Sequence, residues 1–186
     1  LKFNDKSKSY DFLEAPSKNI PPSKASLEYL GYSFTTETEN NGPRKIQVSI
    51  AQKKVAKYKG RIIKAFIDHS KKKDDKLLID RLLFLSSSYP LKSRRKTLSA
   101  FEYRGNLHGG IRYNYPLLNY YEDLIDLDKF LKGVLFSAKF KRVRKNIPES
   151  LIPRLNKISF KKGYELKISR KFSIKRLEKI SRCWKS

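Results

Sequence analysis

Methionine is absent from all 186 residues, and the chain holds one cysteine, one tryptophan and two histidines. A lone cysteine, Cys183, excludes an internal disulfide framework and any zinc site built from several cysteines. Nothing pairs His69 with His108 at metal-ligand spacing. No run approaches the roughly 18 apolar residues of a membrane span, and none reads as a signal peptide. Acids are scarce: 18 Asp plus Glu stand against 43 Lys plus Arg, a net charge of +25. A chain that begins at Leu1 and lacks methionine reads as a fragment without its natural start, although trimming would look the same.

The residues that are present argue for a folded, nucleic-acid-facing protein. The length fits one ordinary domain or two small ones. Eleven Phe and eleven Tyr supply a packed core and speak against disorder. A charge of +25 repels itself and is tolerated where a polyanion neutralises it. Nucleic acid is the first candidate, because aromatic and basic residues interleave in a way that suits stacking on bases or sugars. An acidic membrane surface is the second. No uninterrupted amphipathic helix with a strongly apolar face recommends it.

Along the chain, residues 1–9 read as a strand end entering a turn, and 15–24, with Pro16, Pro21 and Pro22, as a loop. Residues 27–35 and 45–50 have period-two character, with turn chemistry at Glu39–Pro43 between them. The pattern predicts a β-hairpin with a long connection. Tyr29 and Tyr32 in one regular strand would point to opposite faces. Ser49 is placed to cap a helix over 51–69. Val55, Tyr58, Ile62, Phe66 and His69 form its apolar stripe. Lys53, Lys57, Arg61 and Lys64 line another face over about 16 Å, at 1.5 Å per residue, with Lys54 off the row.

A second helix is expected over 74–87 and a third over 121–136. Asp74 and Asp75 in one, and Glu122, Asp123, Asp126 and Asp128 in the other, gather at the positive N-terminal ends. Capping and dipole roles suit these acids better than metal binding. Residues 88–116 read as irregular. Residues 139–186 hold 17 Lys plus Arg against 3 acids. There a turn or short strand pair is expected around Gly163, and a helix from Ser173 to Trp184. The fold class is α+β and mostly helical, with a boundary near residue 50.

Three local patterns carry a family likeness. Leu1-Lys2-Phe3-Asn4 followed by Lys6-Ser7 is similar to a Leu-x-Leu-Asn-x-x-Lys-Thr segment. Tyr29-Leu30-Gly31-Tyr32 looks like a Phe-Leu-Gly-Tyr step. Gly110-Ile111-Arg112-Tyr113-Asn114-Tyr115-Pro116-Leu117-Leu118 is the third, with Phe160-x-x-Gly163 and Ile180-x-x-Cys183-Trp184-Lys185 downstream. In this order they resemble the C-terminal part of bacterial reverse transcriptases, most like the defence-associated enzymes of the unknown group, related to retron and group II intron enzymes. The likeness is dense over 1–70 and 105–120.

The resemblance implies the end of a palm subdomain with a primer-grip hairpin over 1–50, a helical thumb over 51–136 and a basic C-terminal region over 137–186. It implies an RNA-directed DNA polymerase, a nucleotidyltransferase of bacterial antiviral defence in the cytoplasm, acting on an RNA template and a DNA primer. Tyr29, Leu30, Gly31 and Tyr32 would grip the primer. Lys53, Lys57, Arg61 and Lys64 would lie on duplex phosphates. Arg94, Arg95, Arg142 and Arg144 would hold the template or a companion non-coding RNA, or be ordinary surface charge. Lys6 would assist near the leaving pyrophosphate, although Ser7 stands in the family lysine's place and Lys8 is an alternative. The complete enzyme would use Mg²⁺ on aspartates upstream of Leu1, so this chain would hold no metal and be inactive alone. A non-catalytic RNA-binding module, like an intron maturase remnant, is the rival reading.

Overall fold

The computed structural model describes residues 26–37, 45–88 and 110–185. It is a mixed α+β structure, mostly helical, in which a three-stranded antiparallel sheet precedes the helices. Strand β1 (Ser26–Tyr29) ends at Leu30-Gly31, and β2 (Tyr32–Glu37) returns with Tyr29 opposite Tyr32. Strand β3 (Lys45–Ile50) pairs with β2 from Glu37–Lys45 to Tyr32–Ile50. The single strand expected over 27–35 is therefore two strands, and the sheet is a meander. An aromatic run hid a tight turn whose one sequence mark was Gly31. Leu30 (φ 49°) and Gly31 (φ 89°) both take left-handed backbone, as a two-residue turn matched to strand twist requires. The expected turn at Glu39–Pro43 lies outside the described residues.

Helix α1 (Gln52–Lys72) follows β3 directly. Ser49 does not cap it. The N-cap residue is Ala51, without a side-chain cap, and the Ala51 N–H donates to the Gly31 carbonyl at 2.9 Å. Helix α2 (Asp75–Ser86) starts where Asp74 accepts the Leu77 N–H at 2.8 Å. A short helical turn, α3 (Ile111–Asn114), and α4 (Glu122–Phe136) come next. Then follow α5 (Ile152–Asn156), α6 (Phe160–Glu165) and α7 (Ile174–Arg182).

Helix α6 replaces the turn or strand pair expected around Gly163. Ser159 caps it by accepting the Lys162 N–H at 3.1 Å. Asp128 of α4 accepts from the Ser159 hydroxyl at 2.6 Å and the Phe160 N–H at 2.5 Å. The glycine serves a close approach, because a Cβ on Gly163 would overlap the Ser86 carbonyl. Gly110 meets Ser87 in the same way.

One buried cluster runs from Ile50 to Ile180. It takes the apolar stripe of α1, the leucines of α2 and α4, and Leu155, Phe160, Tyr164 and Leu177 from the later helices. It therefore draws on Ile50 at the end of β3, on residues between 51 and 136, and on residues beyond 137, with Tyr32 of β2 packed against it. His69, at the end of the apolar stripe of α1, is buried at 1% exposure with Nε2 2.7 Å from Asp75 Oδ1.

Arg81 is the largest polar side chain in this core, at 1% exposure. Its Nη1 donates to Asp68 of α1 at 2.7 Å. Its Nε and Nη2 donate to the Ile180 and Lys179 carbonyls of α7, both at 3.2 Å. Burial works against ionisation of Asp68, but hydrogen bonds from Lys72 and Arg81 outweigh it and hold the carboxyl below its usual range. Folded Asp68 thus binds its proton less readily than an unfolded aspartate. The stability it contributes is complete above the unfolded value, about pH 4, and is lost as pH falls through the folded one.

Arg81→Ala is expected to cost about 3 kcal/mol, because it empties a buried site and leaves Asp68 Oδ2 and the Ile180 and Lys179 carbonyls without their donor, although Lys72 still pairs Asp68; the urea midpoint reads this. Asp68→Asn is expected to flatten the acid limb of stability below about pH 5. A cost under about 1 kcal/mol for the first change, within the range of surface pairs, would remove Arg81 from this role.

Candidate nucleic-acid interface

The sheet and α1 meet at a groove of about 280 Å³. Leu30 forms one lip. Lys54, Lys57 and Arg61, three and four residues apart on α1, form the other. Tyr58, Asn114 and Tyr115 line it between them. Asn114 Nδ2 donates to the Tyr58 hydroxyl at 3.1 Å. The Tyr115 ring meets Tyr32 edge-on, centroids 5.4 Å apart at 85°, and Tyr58 meets Phe160 at 6.3 Å and 89°. These rings join the sheet to the helices.

The groove's chemistry is cationic with neutral hydroxyls. Burial pushes the Tyr115 phenol up, its neighbours Tyr58 and Tyr32 add to this, and Arg61 opposes it. Burial also raises Tyr58, against the Asn114 hydrogen bond and Arg61. Both phenols therefore keep their protons at neutral pH. The Arg61 guanidinium lies 5.4 Å over the Trp184 ring, and Trp184 Nε1 donates to the Arg61 carbonyl at 3.0 Å. The Lys54 stem crosses the turn: a Cβ built on Gly31 would sit 3.1 Å from Lys54 Cε.

Two side chains fasten the sheet in place. Asn119 accepts the Val48 N–H at 2.6 Å and donates to the Ile46 carbonyl at 2.9 Å, so its amide continues the open edge of β3. Asp123, at the start of α4, accepts the Ile50 N–H at 2.8 Å. Burial raises the Asp123 pKa, and the bonds from Ile50 and Ser49 oppose the rise.

Leu30 is the outlier at this site. It is 79% exposed, yet it holds a left-handed backbone that costs a β-carbon-bearing residue roughly 1–2 kcal/mol. Neither burial nor propensity asks for leucine there. Tyr29 is 63% exposed. Tyr29 and Tyr32 do not point to opposite faces of one strand. They are direct cross-strand partners flanking the turn, a relation that puts side chains on the same face.

Of the residues singled out in the sequence, Leu30, Lys57 and Arg61 come together in the groove, and Gly31 turns the chain beside it. Lys53 and Lys64 are exposed on the same helix and flank Lys57 by helical spacing. Lys54, set aside as off the row, lines the groove. Its spacing of three and seven from Lys57 and Arg61 was the available signal. Arg142 is exposed and does not line the groove. Arg144 donates to the Ser137 carbonyl at 2.6 Å and closes the end of α4. Lys6, Arg94 and Arg95 lie outside the described residues.

The acids at the helix starts serve the fold. Asp74 caps α2, Asp75 meets His69, and Asp126 pairs with Lys59 at 2.5 Å. Asp128 holds the start of α6. Among the described residues no group of three His, Cys, Asp or Glu is placed to hold a metal ion, and no helix is long and apolar enough to cross a membrane. Comparison of the chain with family models, with curated proteins and with solved structures returns no match.

Gly31→Ala is expected to destabilise by about 1–2 kcal/mol, because the turn demands positive φ. Gly60→Ala, mid-helix with nothing within 4 Å of an added Cβ, is expected to stabilise by about 0.5–1 kcal/mol. Denaturant melts of both variants check the opposite signs.

Proposed function

We propose that this chain is the nucleic-acid-clamping C-terminal part of an RNA-directed DNA polymerase similar to the bacterial antiviral reverse transcriptases. In this reading the Leu30-Gly31 turn is the primer grip and α1 is the first helix of the thumb. The observation that carries it is the shared groove, in which an exposed leucine in left-handed backbone faces Lys54, Lys57 and Arg61. A strained residue that no local contact explains points to a use outside the fold. Leu30 presses on a sugar edge of the primer, and the lysines and Arg61 neutralise phosphates of the same duplex. Such contacts read shape and backbone rather than sequence.

The clamp supplies position, not bond making. Nucleotide transfer needs two metal ions on carboxylates, whereas Asp74, Asp126 and Asp128 are engaged in caps and an ion pair. Aspartates upstream of Leu1, with Mg²⁺, would provide that chemistry. The neutral Tyr115 and Tyr58 hydroxyls and the Asn114 amide give the groove polar groups that do not repel a phosphate. The charge of +25 fits a polyanionic partner.

The test is a salt titration of binding to a short RNA–DNA hybrid. Lys54→Gln with Lys57→Gln is expected to lower the log–log salt slope by about two units, one for each phosphate that is no longer neutralised. Leu30→Asn is expected to stabilise the turn by about 0.5–1 kcal/mol, because Asn-Gly suits this geometry, while weakening binding to the hybrid. Unchanged affinity in both variants would sink the clamp. Loss of binding to single-stranded RNA alone would favour the maturase-like RNA-binding module.

A further inference from the structure

A second recess, of about 720 Å³, shares no residue with the groove. It opens between one face of α2, where Lys76, Asp80 and Leu83 recur at spacings of four and three, and the segment that enters α7. That segment is fixed by the fold. The Ser88 N–H donates to the Ile168 carbonyl at 2.8 Å, and the Arg170 N–H returns to the Ser88 carbonyl at 2.9 Å. These bonds make a parallel bridge between Ser88 and Ser169. Two residues beyond Arg170, the Phe172 ring packs on Phe84 with centroids 6.2 Å apart. Arg170 and Lys171 are thus held between two anchors.

The charge in this recess is lopsided. Lys76, Arg170, Lys171 and Arg176 line it with one acid, Asp80. Asp80 is already taken, with its Oδ2 2.7 Å from Arg176 Nε. Lys76, Arg170 and Lys171 are exposed and form no ion pair among the described residues. Gathering three uncompensated cations around a fixed concavity costs repulsion that an incoming anion relieves. The Ser169 and Ser173 hydroxyls also line the recess. Guanidinium, ammonium and hydroxyl donors around one space match the many acceptor oxygens of phosphate. The volume exceeds one phosphate and falls within the range of small-ligand sites, about 300–1,000 Å³.

We propose that this recess is a second anion site, which binds phosphate groups through Lys76, Arg170, Lys171 and Arg176 independently of the groove on α1. The phosphates belong either to a free polyphosphate chain or to a strand of RNA. The inference does not depend on the polymerase reading.

The experiment compares Arg170→Gln with Lys171→Gln against a control of equal charge, Lys129→Gln with Lys132→Gln, on exposed positions of α4. Circular dichroism melts establish that both double variants fold. Calorimetry with inorganic tripolyphosphate and a salt titration with a single-stranded 12-nucleotide RNA are the two arms. The recess variant is expected to weaken tripolyphosphate binding about tenfold or more. It is expected to lower the RNA salt slope by about 1.4 units, roughly 0.7 for each phosphate on a single strand. The control should change neither by more than about twofold, as screened surface charges do. A response with RNA assigns a strand to the recess, and a response with tripolyphosphate alone assigns a free polyphosphate. If the recess variant matches wild type in both arms, or the control falls as far, the proposal is overturned.

Discussion

One buried guanidinium joins helices from opposite ends of the chain. Arg81 sits on α2, takes a carboxylate from α1 and caps two carbonyls of α7. A charge withdrawn this far from water is tolerable only with its donors satisfied, so the three helices are fixed together or not at all. The groove inherits that constraint. The position of α7 brings Trp184 to Arg61, and Trp184 both stacks on the Arg61 guanidinium and bonds to its backbone. A cation that would otherwise sweep freely over the surface is held at the lip of the groove.

The sheet is subject to a different constraint. A three-stranded meander leaves open edges, which invite pairing with other chains. On β3 that edge is filled by the amide of Asn119 and by the Asn119 and Tyr120 N–H groups on the Val48 carbonyl. Asp123 closes the last position. The same contacts orient the meander, so that its first turn lands beside α1 and hands a carbonyl to Ala51. Edge protection and presentation of Leu30 are thus one arrangement.

The sequence was most legible where periodicity was strong. The apolar stripe of α1 is buried as its spacing predicts, and Asp74 and Ser173 cap where a short polar side chain precedes an apolar run. It was least legible where the deciding contact is distant. Gly163 reads locally as a turn residue, but Asp128 and Ser86, far along the chain, make its segment a helix. The turn at Leu30-Gly31 was obscured by a leucine where asparagine is usual. The row of cations on α1 was visible, although its groove-facing edge includes Lys54. Arg144 read as an RNA contact or surface charge, and no local pattern showed that it donates to the Ser137 carbonyl at the end of α4. The recess beside α7 left no sequence signal, because its cations come from segments about ninety residues apart.

Trp184 is the chain's sole indole, and it lies between two groups of consequence. Arg61 sits over its face, and the Phe84 ring lies 5.9 Å away. An anion that draws the guanidinium off the ring changes the electric field across the chromophore, and the emission maximum moves with it. If the groove takes an anion as proposed, Trp184 would report its arrival without any attached dye.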